Sequence, residues 1–188
     1  MKKKKLLLHC CCAPCSSYVA MELSKEYDVT CLFYNPNIDV PGEYEKRKLE
    51  MEKLAGSDEL KVIYGKHEPN KWLAAIRGYE QEPEGGKRCK ICFEMRLAET
   101  ARIAREMGFD FFATTLTVAP MKNALFINKT GEAVALKSGV SYLPSDFKKK
   151  DGYKKSVSRS NELGLYRQKF CGCSFSLPNK RFAPNVKK

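Results

Sequence analysis

Apolar residues in this chain come in short runs separated by polar stretches, and the runs differ in period. Residues 4–10 place Leu6, Leu7 and Leu8 in succession ahead of His9 and Cys10, the pattern of a short strand buried on both faces. Residues 11–16 turn the chain at Pro14. Residues 17–27 then follow a helical period, with Val19, Ala20 and Leu23 on one face. Residues 29–34 read as a second strand, ended by the loop signal Asn35-Pro36-Asn37. A charged helix over 41–54, a third strand over 60–64 and a short helix over 70–78 carrying Trp72 come next.

The polar stretch 81–87, with Pro83, Gly85 and Gly86, leads into Cys89. From 91 to 107, Met95, Leu97, Ala98, Ala101, Ile103 and Ala104 form an apolar helical stripe that Gly108 ends. A fourth strand is expected over 109–116, a helix weakened by Gly131 over 124–138, and a fifth strand over 140–143. The alternation predicts an α/β fold with a mainly parallel sheet. In such sheets ligands bind beyond the carboxyl ends of the strands, which gathers the Cys11–Cys15 turn, the Asn35 loop and Thr114-Thr115 on one edge. The tail reads differently: a basic loop over 148–155, a helix over 160–169 and a loose basic end. Residues 1–145 thus form the α/β body, and residues 146–188 a basic extension packed on it.

Length and charge narrow the picture. A chain of 188 residues fits one core of its own, so disulfides are not needed to hold it together. The net charge of +12 favours a polyanionic partner, nucleic acid first, although excess lysine also serves plain solubility. The opening Met1 and Lys2 to Lys5 superficially suggest a signal peptide. The three-leucine run that follows falls short of the roughly 7–15 apolar residues a signal core needs. No window approaches the ~20 apolar residues of a membrane span. A cytoplasmic location without membrane attachment is expected.

Nine cysteines, most of them in three tight groups, then carry the chemistry. Reduced cytosolic thiols clustered in this way argue for metal or redox use. Cys10-Cys11-Cys12-Ala13-Pro14-Cys15 places four thiols in six positions, ahead of a helix N-terminus that favours thiolates. Cys89-Lys90-Ile91-Cys92 lets two sulfurs face one ion or one cluster. Zinc and iron–sulfur both fit this pair; the adjacent cysteines of the first group suit a multi-iron cluster better than one tetrahedral ion. Cys171-Gly172-Cys173 allows a strained, easily reduced disulfide, an electron relay, or ligands to a second metal. Cys31 reads as core and His9 as hydrogen-bonded structure. Asp39, Asp110 and Asp146 read as solvated loop carboxylates. Tyr44 with Arg47, and Tyr166 with Arg167 and Gln168, suit base stacking and phosphate contact, or an ordinary amphipathic helix surface. Lys148, Lys149, Lys150, Lys154 and Lys155 suit phosphates.

Four segments together carry a resemblance. Leu7-Leu8-His9-Cys10-Cys11-Cys12-Ala13-Pro14-Cys15-Ser16, Cys89-Lys90-Ile91-Cys92-Phe93 with Arg96-Leu97, Phe112-Ala113-Thr114-Thr115-Leu116, and Tyr166-Arg167-Gln168-Lys169-Phe170-Cys171-Gly172-Cys173 resemble, in order, the motifs of the QueH epoxyqueuosine reductase family. The family opening matches Cys11, Cys12 and Cys15, which leaves Cys10 and Cys31 as extra thiols.

The resemblance implies a Rossmann-like fold of the PP-loop type, with the cysteine turn standing where a phosphate loop would be. It implies reduction of epoxyqueuosine in tRNA to queuosine, with a [4Fe–4S] cluster on Cys11, Cys12, Cys89 and Cys92. It further implies a second metal ion, iron, and a role for Cys15, Cys171 and Cys173 as its ligands or as a redox pair. The tRNA is then the partner, contacted through Tyr44, Arg47, Lys149, Tyr166 and Arg167, and an electron donor of open identity is required. A zinc-bearing tRNA-binding module and a thiol–disulfide oxidoreductase using Cys171 and Cys173 are the rival readings.

Overall fold

In the computed structural model, described over residues 2–177, five parallel strands form one sheet with helices on both faces. The strands are β1 (Lys5–His9), β2 (Asp28–Phe33), β3 (Lys61–Tyr64), β4 (Phe111–Thr114) and β5 (Ser141–Tyr142), in the order β3-β2-β1-β4-β5. The order reverses between β1 and β4, where Leu6 to His9 pair with Phe111 to Thr114. That reversal opens a crevice beyond the carboxyl ends of the two strands. The chain enters this crevice at Cys11.

The β1 leucines explain the two-layer packing. Successive strand residues face opposite sides of a sheet. Leu6 and Leu8 join Val19, Phe33, Met51 and Leu54, the layer formed by α1 (Ala13–Leu23) and α2 (Glu43–Asp58). Leu7 joins Phe93, Leu97, Ala101 and Ile127 on the other side, under α4 (Lys87–Glu106) and α5 (Ala124–Ser138). The short α3 (Pro69–Ala75) brings Trp72 against Cys92 and Cys173 in a third, smaller cluster.

Several boundaries depart from expectation for local reasons. Helix α1 starts at Ala13, because Pro14 sits in the first turn, where a missing N–H costs nothing. Gly131 does not weaken α5. It lies against the ring of Tyr142, where an added Cβ would stand 2.5 Å from the ring. The helix expected over 160–169 lies instead at α6 (Gly152–Glu162), so the basic stretch 148–155 is half turn and half helix. Gly164, at φ +57, follows it, and the N–H of Tyr166 donates to Glu50 Oε2 at 2.8 Å rather than to a helical carbonyl. Helix α6 packs along α1: Ser156 Oγ donates to the Pro14 carbonyl at 2.8 Å, and Arg159 Nε donates to the Ser17 carbonyl at 3.1 Å. The loose basic end lies outside the described residues. Among the described residues no helix is long and apolar enough to cross a membrane.

A candidate thiol-lined metal centre at the carboxyl edge of the sheet

Strand β1 delivers the first thiols directly into the crevice. Cys10 is still part of the sheet: its N–H donates to the Leu32 carbonyl at 2.8 Å, and its thiol donates to Leu8 O and packs in the α1 layer with Cys31. The next residues leave the strand. The sulfurs of Cys11, Cys12 and Cys15 all lie within 4.8 Å of one another. Thr115, the residue after β4, holds the turn, accepting from Cys11 N–H at 3.1 Å and donating to Cys11 Sγ at 3.4 Å. Hydrogen bonds from the thiols of Cys12 and then Cys15, helped by the charges of Arg96 and Lys122, hold the Cys11 thiol well below its usual range. Its partners respond in the opposite sense. Cys12 is pushed up to about 12 chiefly by Cys11, and Cys15 is raised well above its ordinary value by Cys11 and Cys12. Of the three, Cys11 is the thiol whose proton leaves most readily.

A buried polar network braces this turn from below. The Nε–H of Arg96 donates to His9 Nε2 at 3.2 Å, and a second guanidinium nitrogen donates to Asn35 Oδ1. His9 Nε2 lies between the Arg96 donor and the Tyr34 carbonyl, which is 3.1 Å away, and Nδ1 is within 2.8 Å of Thr114 Oγ1. Burial, and after it the Arg96 charge, lower the His9 pKa to about 3, so His9 stays neutral. Asn35 Nδ2 donates to the Cys10 carbonyl at 3.0 Å and closes the network.

Helix α4 supplies the second pair, Cys89 and Cys92, from its first two turns. Burial is the main influence on both: it raises Cys89 and pushes Cys92 up to about 12. The Gly85 N–H donates to Cys89 Sγ at 3.3 Å. Cys89 and Cys92 line a cavity of about 340 Å³ with Cys171, Cys173, Trp72 and Phe126. Three buried polar atoms of its lining residues lack a partner: Trp72 Nε1, Arg88 Nε and Asn37 Oδ1.

A second cavity of about 240 Å³ adjoins it, lined by Cys11 and Cys15. Cys171, Glu84, Met121 and Lys122 line both cavities, so Cys171 stands in the common wall. The neighbouring sulfurs, that of Cys171 first and then those of Cys11 and Cys15, hold the Lys122 ammonium above its usual range. All nine cysteines are free thiols, and the Cys171–Cys173 pair is open.

The other expected site residues take varied positions. Tyr44 and Arg47 do share a helix face, but it is the buried one. Tyr44 stacks on His67 at a centroid distance of 3.6 Å. Arg47 is 3% exposed and spends its donors on Glu43 and on the carbonyls of Phe170 and Cys171. The expectation of an open stacking and phosphate surface there is corrected: helical spacing fixes a shared face without telling which way it turns. Tyr166 reaches Glu43 through its hydroxyl, with Lys46 over its ring. Arg167 is exposed and lines the smaller cavity, and Lys149 is exposed on the turn before α6. Asp39 is no free loop carboxylate; it accepts from the N–H and hydroxyl of Ser174 at 2.6 and 2.8 Å. Sequence reasoning passed over Lys122, Glu84 and the buried role of Arg96, which only tertiary packing brings to the thiols.

Comparison with known proteins adds a family to this geometry. The family described as "Epoxyqueuosine reductase QueH" matches residues 6–179. A relative so named from Streptococcus pyogenes serotype M1 is 41% identical over 180 residues, spanning 93% of this chain and 71% of the relative. One from Staphylococcus epidermidis is 42% identical over 183 residues, spanning 93% and 77%. One from Thermotoga maritima is 40% identical over 179 residues, spanning 94% and 92%. Among solved structures, the U34-tRNA thiolase NcsA from Methanococcus maripaludis with its [4Fe-4S] cluster superposes with a TM-score of 0.60 at 15% identity. The match covers 96% of this chain and 64% of that one, a likeness of fold.

Proposed function

The chain belongs to the epoxyqueuosine reductase QueH family, and from that premise we propose how its thiols serve the reaction. The activity is reduction in tRNA modification: the epoxide of epoxyqueuosine becomes a carbon–carbon double bond, consuming two electrons and two protons and releasing water. So many soft sulfur donors around two adjoining cavities favour chemistry through a bound metal cofactor. The observation that carries this reading is the convergence of Cys11, Cys12 and Cys15 within 4.8 Å, beside a cavity walled by four more thiols.

A [4Fe–4S] cluster fits this donor set. We assign its ligands as Cys11, Cys12, Cys89 and Cys92, on the softness of their sulfur and the adjoining of the two cavities, with Cys11 and Cys12 already gathered beside Cys15. Hydrogen bonds from Cys12 and Cys15 lower the Cys11 thiol, the direction metal ligation needs. The unpartnered N–H groups of Trp72 and Arg88 suit sulfur acceptors, since hydrogen bonds to cluster sulfurs are a normal part of such sites. When bound, the cluster supplies electrons one at a time, at a potential set by burial and ligation. Cys15, Cys171 and Cys173 remain for a second metal, iron, or for a redox pair. Arg96, His9 and Thr114 hold the turn, and Met121 and Lys122 border the path to it. Lys149, Lys150 and Arg167 on the open side hold tRNA phosphates.

Iron, zinc and acid-labile sulfide in anaerobically purified protein test the reading. Iron with near-equal sulfide is expected, falling together in Cys89→Ala and Cys92→Ala. Zinc without sulfide would instead establish a zinc-bearing tRNA-binding module. Full cluster content in Cys92→Ala would displace the ligand assignment.

A further inference from the structure

We propose that Glu84 recognises the cationic arm of the substrate, pairing its carboxylate with the secondary ammonium that joins the cyclopentane ring to the 7-deazaguanine base. This rests on the reductase reading above and names the contact that sets its specificity.

The smaller cavity is lined by Arg47, Arg96, Lys122, Arg167 and Lys169, and Glu84 is the one carboxylate in its lining. The larger cavity is lined by Arg88, Lys90 and Lys122, and Glu84 is again its one carboxylate. A cationic wall suits the phosphates of tRNA, but an acid in that wall opposes them. Its presence calls for a positive group in the ligand. The secondary amine of epoxyqueuosine is such a group: an alkyl amine keeps its proton at neutral pH, as lysine does.

Glu84 is exposed, at the rim shared by the two cavities. The loop that carries it is held from its inner side. Arg88, 2% exposed, donates through Nη1 to the carbonyls of Glu80 and Glu82. The Glu82 carboxylate accepts from Lys87 N–H at 2.9 Å, and Gly86 N–H donates to the Pro83 carbonyl at 3.0 Å. Gly85, at φ +88, makes the bend that only glycine adopts freely. Every other acid of the turn is thus engaged through its backbone or side chain, whereas the Glu84 carboxylate has no hydrogen bond or ion pair among the described residues. The Gln168 side-chain oxygen, in the lining of the smaller cavity, is a second acceptor without a partner. Two idle acceptors suit a ligand rich in N–H donors, the ammonium for Glu84 and the base edge for Gln168. In open water such a pair is weak, and closure of the tRNA over the cavity removes the water that screens it.

The test uses the cluster-loaded enzyme and two anticodon stem–loops that differ only at the modified position, one with guanosine and one with queuosine, which keeps the same amine arm. Wild-type protein is expected to bind the queuosine loop at least about tenfold more tightly. In Glu84→Gln that preference should shrink to within about twofold while guanosine-loop affinity holds or rises, since the acid no longer opposes the phosphates, and Glu84→Asp should restore part of the preference. A preference retained in Glu84→Gln overturns the assignment. Loss of bound iron from that variant also overturns it, by making Glu84 a metal ligand. Turnover by wild type together with a retained preference in the variant sinks the Glu84 proposal alone. No turnover and no preference in wild type sink the reductase reading with it.

Discussion

The guanidinium of Arg47 donates to the carbonyl oxygen of Cys171 at 3.0 Å, joining residues 124 positions apart. The same group donates to the Phe170 carbonyl at 3.1 Å and to the Glu43 carboxylate, which in turn meets the Tyr166 hydroxyl. One buried ion pair on α2 thus clamps the segment that carries the last two thiols. Arg47→Ala would leave Glu43 buried and unpaired, a loss on the order of 3–5 kcal/mol. The double variant Arg47→Met, Glu43→Leu should cost less, since neither charge is then stranded. Urea unfolding of both proteins decides, and equal losses would contradict the clamp.

Gly172 is expected to tolerate no side chain. Its φ is +115, and an added Cβ would stand 2.9 Å from Ile38 and 3.0 Å from Arg47. Gly172→Ala should therefore lower stability by roughly 1–3 kcal/mol and raise the rate at which iodoacetamide alkylates Cys171. A melting temperature within one degree of wild type would show that the loop relaxes freely.

Cys10 and Cys31 are expected to be dispensable for cofactor binding. Both are fully buried in the α1 layer and lie outside the three-sulfur group. Cys10→Ala and Cys31→Ala should keep iron and sulfide at wild-type levels while losing about 1 kcal/mol of stability from the vacated volume. Halved iron in Cys10→Ala would move that thiol into the ligand set.

Lys149 and Lys150 sit exposed on the turn before α6. Their joint replacement by alanine should weaken tRNA binding about equally for all sequences. It should also flatten the dependence of log affinity on log salt by roughly one to two. An unchanged slope, followed by filter binding between low and moderate salt, would place the phosphates elsewhere.

Lys87 N–H and Gly86 N–H fix the Glu84 loop through the Glu82 carboxylate and the Pro83 carbonyl. Glu82→Ala is accordingly expected to loosen the loop and increase amide exchange at 84–87, with little change at β1. Protection unaltered at those amides would argue that the Arg88 contacts suffice.

The sheet was legible because its strands are written as unbroken apolar runs. Leu6 to Leu8 can only be a strand buried on both faces, and the parallel order follows from the helices between. The cysteine turn was legible because strand ends at a topological switch collect ligands. What stayed hidden depends on direction rather than identity. Nothing in the spacing of Tyr44 and Arg47 tells that their face turns inward. The run 160–169 has helical composition, yet Glu50, distant in sequence, takes the Tyr166 amide and the helix ends earlier. Trp72 reaches Cys92 only because the short α3 folds under α4.

The clamp from Arg47 to Cys171 also bears on biogenesis. The Cys11–Cys15 turn follows the first strand, whereas the wall that Cys171 contributes comes from a segment far along the chain. Until Arg47 holds that segment in place, the sulfurs of the turn lack its cover, so the closing of the thiol cavities is tied to this one docking event.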